Sequence, residues 1–176
     1  MAMKVLETDR LILRRLAVED AGFILELLND PSFLRFIGDK QVRTLDDARN
    51  YILSGPMASY ERFGFGLFLT ELKESSVPIG ICGLLKRDTL DDVDIGFAFL
   101  PEFCGKGYGF ESAKSMMIHG RDIHGLKRIV AITSPENDAS IALLEKLGLK
   151  LERLTKLTAD APEVKLFATD SLEEVQ

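Results

Sequence analysis

Two hydrophobic periods alternate along this chain, and together they outline its elements. Leu11 to Leu16 (L-I-L-R-R-L) predicts a first strand. Val18 to Asn29 places Ala21, Ile24, Leu25, Leu27 and Leu28 at helical spacing, and Asn29-Asp30-Pro31 ends the run. A second helix is predicted over Thr44 to Glu61, with Thr44 as N-cap and Asp46 and Asp47 in its first turn; Gly55-Pro56 should break or kink it. Phe65 to Leu72 and Val77 to Leu85 read as strands joined by the polar turn Lys73 to Ser76. Val93 to Leu100 alternates, with Val93, Ile95, Phe97 and Phe99 on one face and Asp94 on the other. A helix from about Gly109 to His124 follows, then a buried strand at Arg128 to Thr133. Asn137 to Leu147 is a short helix ended by Gly148, and Leu149 to Leu157 with Val164 to Thr169 form a last hairpin. Asp170 to Gln176 reads as a polar, frayed tail. The order predicts a mixed α/β layer around one sheet of about seven strands with about four helices, in one domain spanning residues 1–176.

Composition narrows the function classes. Hydrophobic residues at 46% and charged residues at 28% are ordinary for a soluble globular chain. No apolar run is long enough to span a membrane, and the first ten residues contain no signal-peptide core, so a cytoplasmic location is expected. Cys82 and Cys104 are too few for a disulfide framework or zinc site, and His119 and His124 have no cysteine partner nearby, so no metal is expected. A net charge of −6 argues against nucleic acid as a direct partner and is weakly compatible with an amine substrate.

The most informative stretch is Leu100 to Lys114, L-P-E-F-C-G-K-G-Y-G-F-E-S-A-K. A strand runs into Pro101, three glycines follow at Gly105, Gly107 and Gly109, and a helix begins. Glycines let the backbone approach a ligand, and the free N–H groups and positive dipole of a helix start favour phosphate. The P-loop pattern is absent, because Lys106 precedes the second glycine and Tyr108 follows it. The dinucleotide pattern fails at Phe110, and the antiparallel strands upstream do not suit a doubly wound sheet.

Three stretches in this order resemble the GNAT superfamily of acyl-CoA-dependent N-acyltransferases. They are E-T-D-R-L-I-L-R-R-L at 7–16, G-K-G-Y-G-F-E-S-A at 105–113 and N-D-A-S-I-A-L-L-E-K-L-G-L at 137–149. Within it, they look most like the ribosomal-protein alanine/serine N-acetyltransferase branch. Cys104 departs from the family loop, which usually carries Gln or Arg at that position. The resemblance implies a central, mostly antiparallel sheet splayed in its middle, with acetyl-CoA as acyl donor and an amine as acceptor. It implies that the pyrophosphate lies on Cys104, Gly105, Lys106, Gly107, Tyr108, Gly109 and Phe110. The pantetheine arm would pair with the strand at Phe97, Phe99 and Leu100. Asn137 would contact that arm, although an asparagine before a helix is equally an ordinary N-cap. The family's usual tyrosine, which protonates the leaving thiolate, falls on Leu144. Ser140 is the substitute general acid that the branch suggests.

Acetyl transfer also requires a neutral amine. A lysine amine, with pKa about 10.4, is scarcely neutral at pH 7, whereas an α-amine near 8 is neutral to roughly a tenth. A peptide N-terminus or small α-amine therefore asks less of a general base. Asp94 is the first candidate base, with a solvent-facing strand residue as its alternative reading, and Glu136 is the second. Phe33, Phe36 and Tyr60 are candidate acceptor-pocket residues, as against core. Three further readings stay open: a non-catalytic acyl-CoA-binding or sensing domain, a small-molecule amine acetyltransferase, and a monomer or homodimer.

Overall fold

The computed structural model describes residues 3–170. Eight strands among these residues form one open sheet, in the order β1 (Lys4–Glu7), β2 (Leu11–Arg14), β3 (Leu67–Leu72), β4 (Pro78–Leu85), β5 (Asp94–Phe99), β6 (Val130–Thr133), β8 (Val164–Ala168) and β7 (Lys150–Thr155). Every neighbouring pair is antiparallel except β5 and β6, which are parallel. The predicted mixed, mostly antiparallel sheet is present, with one strand more than the sequence suggested. That strand is β1, whose four residues are too few to show a period. It forms by pairing with β2, and the edge is charged by Lys4 and Lys73 on Glu7.

The helices are cut more finely than the periodicity predicted. A 3₁₀ turn at Val18–Asp20 leads into α1 (Ala21–Leu28). The Asn29-Asp30-Pro31 stop holds, but it also starts α2 (Pro31–Phe36): Asp30 accepts from Ser32 N and Pro31 sits in the first turn. The long second helix is α3 (Leu45–Ile52) and α4 (Ala58–Phe63), joined by a π turn at Leu53–Met57 that absorbs Pro56. Thr44 caps α3 as expected, in a capping box with Asp47. α5 (Tyr108–His124) and α6 (Asp138–Lys146) lie within a residue or two of prediction. Gly148, at φ 92°, ends α6, with Leu149 N bonding to Leu144 O. Of the tail read as frayed, all but Asp170 lies outside the described residues.

Strand alternation sends side chains to two cores. On one face Phe68, Cys82, Leu84 and Ile95 pack with Ala113, Met116 and Met117 of α5. On the other Leu69 and Ile81 pack with Ile24, Leu27 and Leu28 of α1 and Ile52 of α3. Phe33 and Tyr60, expected as possible pocket residues, are core at 6% and 5% exposure. Tyr60 stacks on Phe68 at 5.1 Å, and its hydroxyl accepts from Leu16 N and donates to Leu67 O. Burial pushes its pKa well up, so the phenol stays neutral.

Candidate active site

The sheet opens where β5 meets β6. Their ladder is a single pair, Asp94 with Val130, supported by Val130 N donating to Val93 O at 3.0 Å. Past that pair the two strands separate. On its other edge β5 is fully paired with β4 from Asp94 to Phe99, and Leu100 N continues it by donating to Ile79 O. Since backbone groups alternate in direction along an antiparallel strand, Ile95, Phe97 and Phe99 turn their N–H and C=O toward the gap. Such groups need another partner. Leu100 does not contribute: its N–H goes to Ile79, its carbonyl accepts from Phe103 N, and its side chain is core. Arg128 pins the closed end of the gap, bonding Asp92 ahead of β5 and, bidentately, Glu152 on β7.

The open end leads to the glycine loop. Gly105 and Gly107 have φ of 74° and 85°, left-handed values that cost any other L residue about 1–2 kcal/mol. Gly107 is the N-cap of α5 and offers no side chain, so the N–H groups of Tyr108, Gly109 and Phe110 have no capping acceptor. Gly109 has a different reason to be glycine. A Cβ there would lie 3.1 Å from Leu143 of α6 and 3.7 Å from Phe99, so it sets the close packing of α5. Lys106 and Cys104 are exposed beside the cradle, and the Phe110 ring lies beneath the ammonium groups of Lys114 and Lys146. The Cys104 thiol sits 3.6 Å from Leu100 O; burial, then Asp30 and Glu102, push its pKa up, the opposite of what a reactive thiolate needs.

Sequence reasoning missed the group that holds this loop. Arg10, in the β1–β2 turn, donates to Lys106 O at 3.0 Å, stacks over Tyr108 at 4.4 Å and pairs with Glu111 at 2.7 Å. The same Glu111 carboxylate accepts from Thr8 Oγ1 and Arg10 N at 2.6 and 2.9 Å. Burial pushes the Glu111 carboxyl up, but these bonds outweigh it and hold its pKa below the usual range. The partners lie 101 and 103 positions apart in sequence, and no local pattern announces them. The clamp borders an open cleft of about 510 Å³ beside Gly107, Phe110 and Lys114.

At the closed end, Asp94 is buried at 1% exposure, which removes the solvent-facing reading. Its Oδ1 accepts from Arg87 Nε at 3.0 Å. Burial raises the Asp94 pKa, while Arg87 opposes the rise. Across the gap, Asn137 Oδ1 caps α6 by accepting from Ser140 N at 3.2 Å. Its role as an N-cap is therefore realised, and its amide donors are not used in that bond. Ser140 is half-buried in the first turn of α6. Leu144 is core at 1% exposure, and Glu136 is half-buried or more open in the turn before α6, with its N–H facing Ser134 Oγ.

A parted strand pair, unpaired backbone along the gap and an uncapped helix start fit the long, phosphate-bearing arm of a coenzyme A thioester. The model of the acetyltransferase (GNAT) domain matches residues 10–150. The chain belongs to the GNAT acetyltransferases. Among its relatives, an uncharacterized N-acetyltransferase, p20 of Bacillus licheniformis, is 30% identical over 88% of this chain and 86% of its own. Another, YoaA of Bacillus subtilis, is 29% identical over 84% of each. Among solved structures, an acetyltransferase from Agrobacterium tumefaciens superposes with a TM-score of 0.81 at 24% identity, covering 96% of this chain and 95% of its own. RimL, a ribosomal L7/L12 α-N-protein acetyltransferase solved with coenzyme A, superposes at 0.78 and 19% identity over 96% of this chain and 97% of its own. This GNAT protein is thus an N-acetyltransferase with acetyl-CoA as acyl donor. Among the described residues, no cluster of three or more His, Cys, Asp or Glu could hold a metal, and no helix is long and apolar enough to cross a membrane.

Proposed function

We propose that this GNAT protein acetylates a primary amine of the α-amine class, at a peptide N-terminus or on a small molecule, by direct attack in a ternary complex. One observation carries this reading: the β5–β6 gap closes on a buried carboxylate–guanidinium pair, Asp94 with Arg87, at 3.0 Å. Bound acetyl-CoA supplies a thioester carbonyl as electrophile and a thiolate as leaving group.

The chain's residues have distinct tasks. The N–H groups of Tyr108 to Phe110 hold the pyrophosphate, with Gly105 and Gly107 shaping the approach. Backbone groups of Phe97 and Phe99, and the Asn137 amide, orient the pantetheine arm. Asp94 accepts the amine proton, directly or through water. Its buried position brings its proton affinity nearer that of an amine, and Arg87 keeps it ionised. The nearby guanidinium also disfavours an ammonium, so it favours the neutral, nucleophilic acceptor. The Ser140 hydroxyl protonates the departing sulfur, in place of the tyrosine that Leu144 excludes. The two unpaired cysteines, Cys82 buried and Cys104 exposed, suit a reducing cytoplasm.

The test is thiol release from acetyl-CoA with panels of peptides and small amines, for the native chain, Asp94→Asn and Ser140→Ala. Amine-dependent release is expected, reduced about 10²-fold or more by Asp94→Asn with coenzyme A affinity retained. Tight coenzyme A binding with no release for any acceptor would refute turnover and leave a binding domain. Failure to bind coenzyme A would overturn the cradle itself.

A further inference from the structure

The acceptor side of the gap carries more positive charge than an amine alone would call for. Asp94, Gly96 and Ala98 point to the face of the sheet covered by α1 and α3, opposite the α5 face that receives Ile95, Phe97 and Phe99. A cleft of about 290 Å³ opens on that face, between the π turn, α4 and the ends of β3 and β4. Its floor includes Leu67 and Leu85, and these two side chains also lie over Gly96 of β5, where a Cβ would sit 3.6 and 3.0 Å from them. Leu85 is the ladder partner of Asp94, so the cleft adjoins the closed end of the gap.

The charges around it are one-sided. In a chain of net charge −6, the cleft lining includes Arg62 and Lys86, hydroxyls from Tyr51, Ser54 and Ser59, and no carboxylate. Lys86 is committed elsewhere, donating to Leu90 O at 2.8 Å. Arg62 lies over Phe63 at 4.8 Å and has no acidic partner among the described residues. Arg87 engages Asp94 through its Nε alone, which leaves both terminal amino groups without a protein acceptor among those residues. Lys40, on the loop after α2, also lacks an acidic partner there. Lys40 is exposed as a residue, yet desolvation of its ammonium, followed by repulsion from Arg87, lowers its pKa. Tyr51 of the cleft lies within the field of the same guanidinium. Three cations with open donor positions thus surround one buried carboxylate that is already paired.

We propose that this GNAT protein takes an acceptor carrying a carboxylate close to its amine, with the terminal amino groups of Arg87 and the Lys40 ammonium binding that carboxylate while Asp94 faces the amine. The inference rests on the amine-acceptor reading above. A guanidinium held at one nitrogen by a buried partner presents its other two as a fixed fork, the geometry that carboxylates match bidentately. The same chemistry has two sources: the carboxylate of a free amino acid, or an acidic side chain beside a peptide N-terminus.

The experiment measures kcat/KM for matched pairs that differ only in charge. One arm compares free amino acids with their carboxamides, and the other compares peptides with Asp or Glu at the second position against Asn or Gln. A preference for the carboxylate of about tenfold or more is expected in one arm, which names the source. Lys40→Met should bring the ratio toward one while KM for acetyl-CoA stays unchanged. In parallel, calorimetry on the coenzyme A-loaded chain compares binding of each pair without turnover. A carboxylate preference in binding with no turnover would uphold the anion site and refute the transfer reading. Equal use of both members in both arms would overturn the anion site while leaving the transferase intact.

Discussion

Replacing Gly107 with alanine isolates what the loop contributes to acetyl-CoA binding. Gly107 holds φ 85° as the N-cap of α5, and a Cβ there would lie 3.2 Å from the Arg10 Nη2 atom. The left-handed conformation costs alanine about 1–2 kcal/mol. The contact adds less, because the far end of Arg10 can shift. It does so, however, by loosening its bond to Lys106 O or its stack on Tyr108. If the Gly107→Ala chain keeps the native backbone, folding stability falls by that conformational cost. If the turn relaxes instead, stability is spared, but the N–H groups of Tyr108, Gly109 and Phe110 leave their convergent arrangement, and KM for acetyl-CoA rises by about 5- to 30-fold for the same energy. Thermal unfolding and coenzyme A calorimetry on one preparation distinguish these outcomes. Gly105→Ala is the control: at φ 74° it has the same conformational problem but no atom within 4 Å of the added Cβ. It should cost about the same 1–2 kcal/mol, with no effect on Arg10. An unchanged melting temperature together with unchanged coenzyme A affinity in Gly107→Ala would refute the reasoning.

Two further outcomes test the scaffold. Glu111→Gln removes the charge that Thr8 and Arg10 hold; since the Glu111 pKa is lowered in the folded chain, the carboxylate stabilises it above about 4.5, and that advantage is lost as pH falls through the folded pKa. Denaturant unfolding should therefore show the variant about 1–2 kcal/mol less stable at pH 7, with the difference disappearing in acid; a pH-independent difference would mean that the charge is not the cause. Tyr60→Phe leaves Leu16 N and Leu67 O without their partner and should cost about 1–3 kcal/mol with no change in acceptor KM. A raised acceptor KM at native stability would return Tyr60 to the pocket.

The glycine loop and the parts that repeat locally could be read from the sequence because their causes are local. Gly105 and Gly107 mark a backbone that other residues resist, and the alternation from Val93 to Phe99 states which residues share a face. Gly55-Pro56 likewise announces a broken helix, although not that a π turn would absorb it. Asp94 shows what such reasoning cannot reach. Its neighbours in sequence place it opposite the apolar face, and that face could have been wet or covered. Only the packing of α1 and α3 over the sheet made it buried, and only the return of the chain through Arg87 gave it a partner.

Sequence alone therefore determined the sheet-and-helix order, the cradle and the family, since each depends on residues within a few positions of one another or on motifs in a set order. Tertiary structure decided that β5 and β6 meet at one pair and then part. It decided that Arg10 reaches Glu111 from the far end of the chain to brace the loop, and that Lys40, Arg62 and Arg87 gather beside one carboxylate. These are contacts between elements, set by how whole layers pack, and no spacing along the chain encodes the distance between two surfaces before they meet.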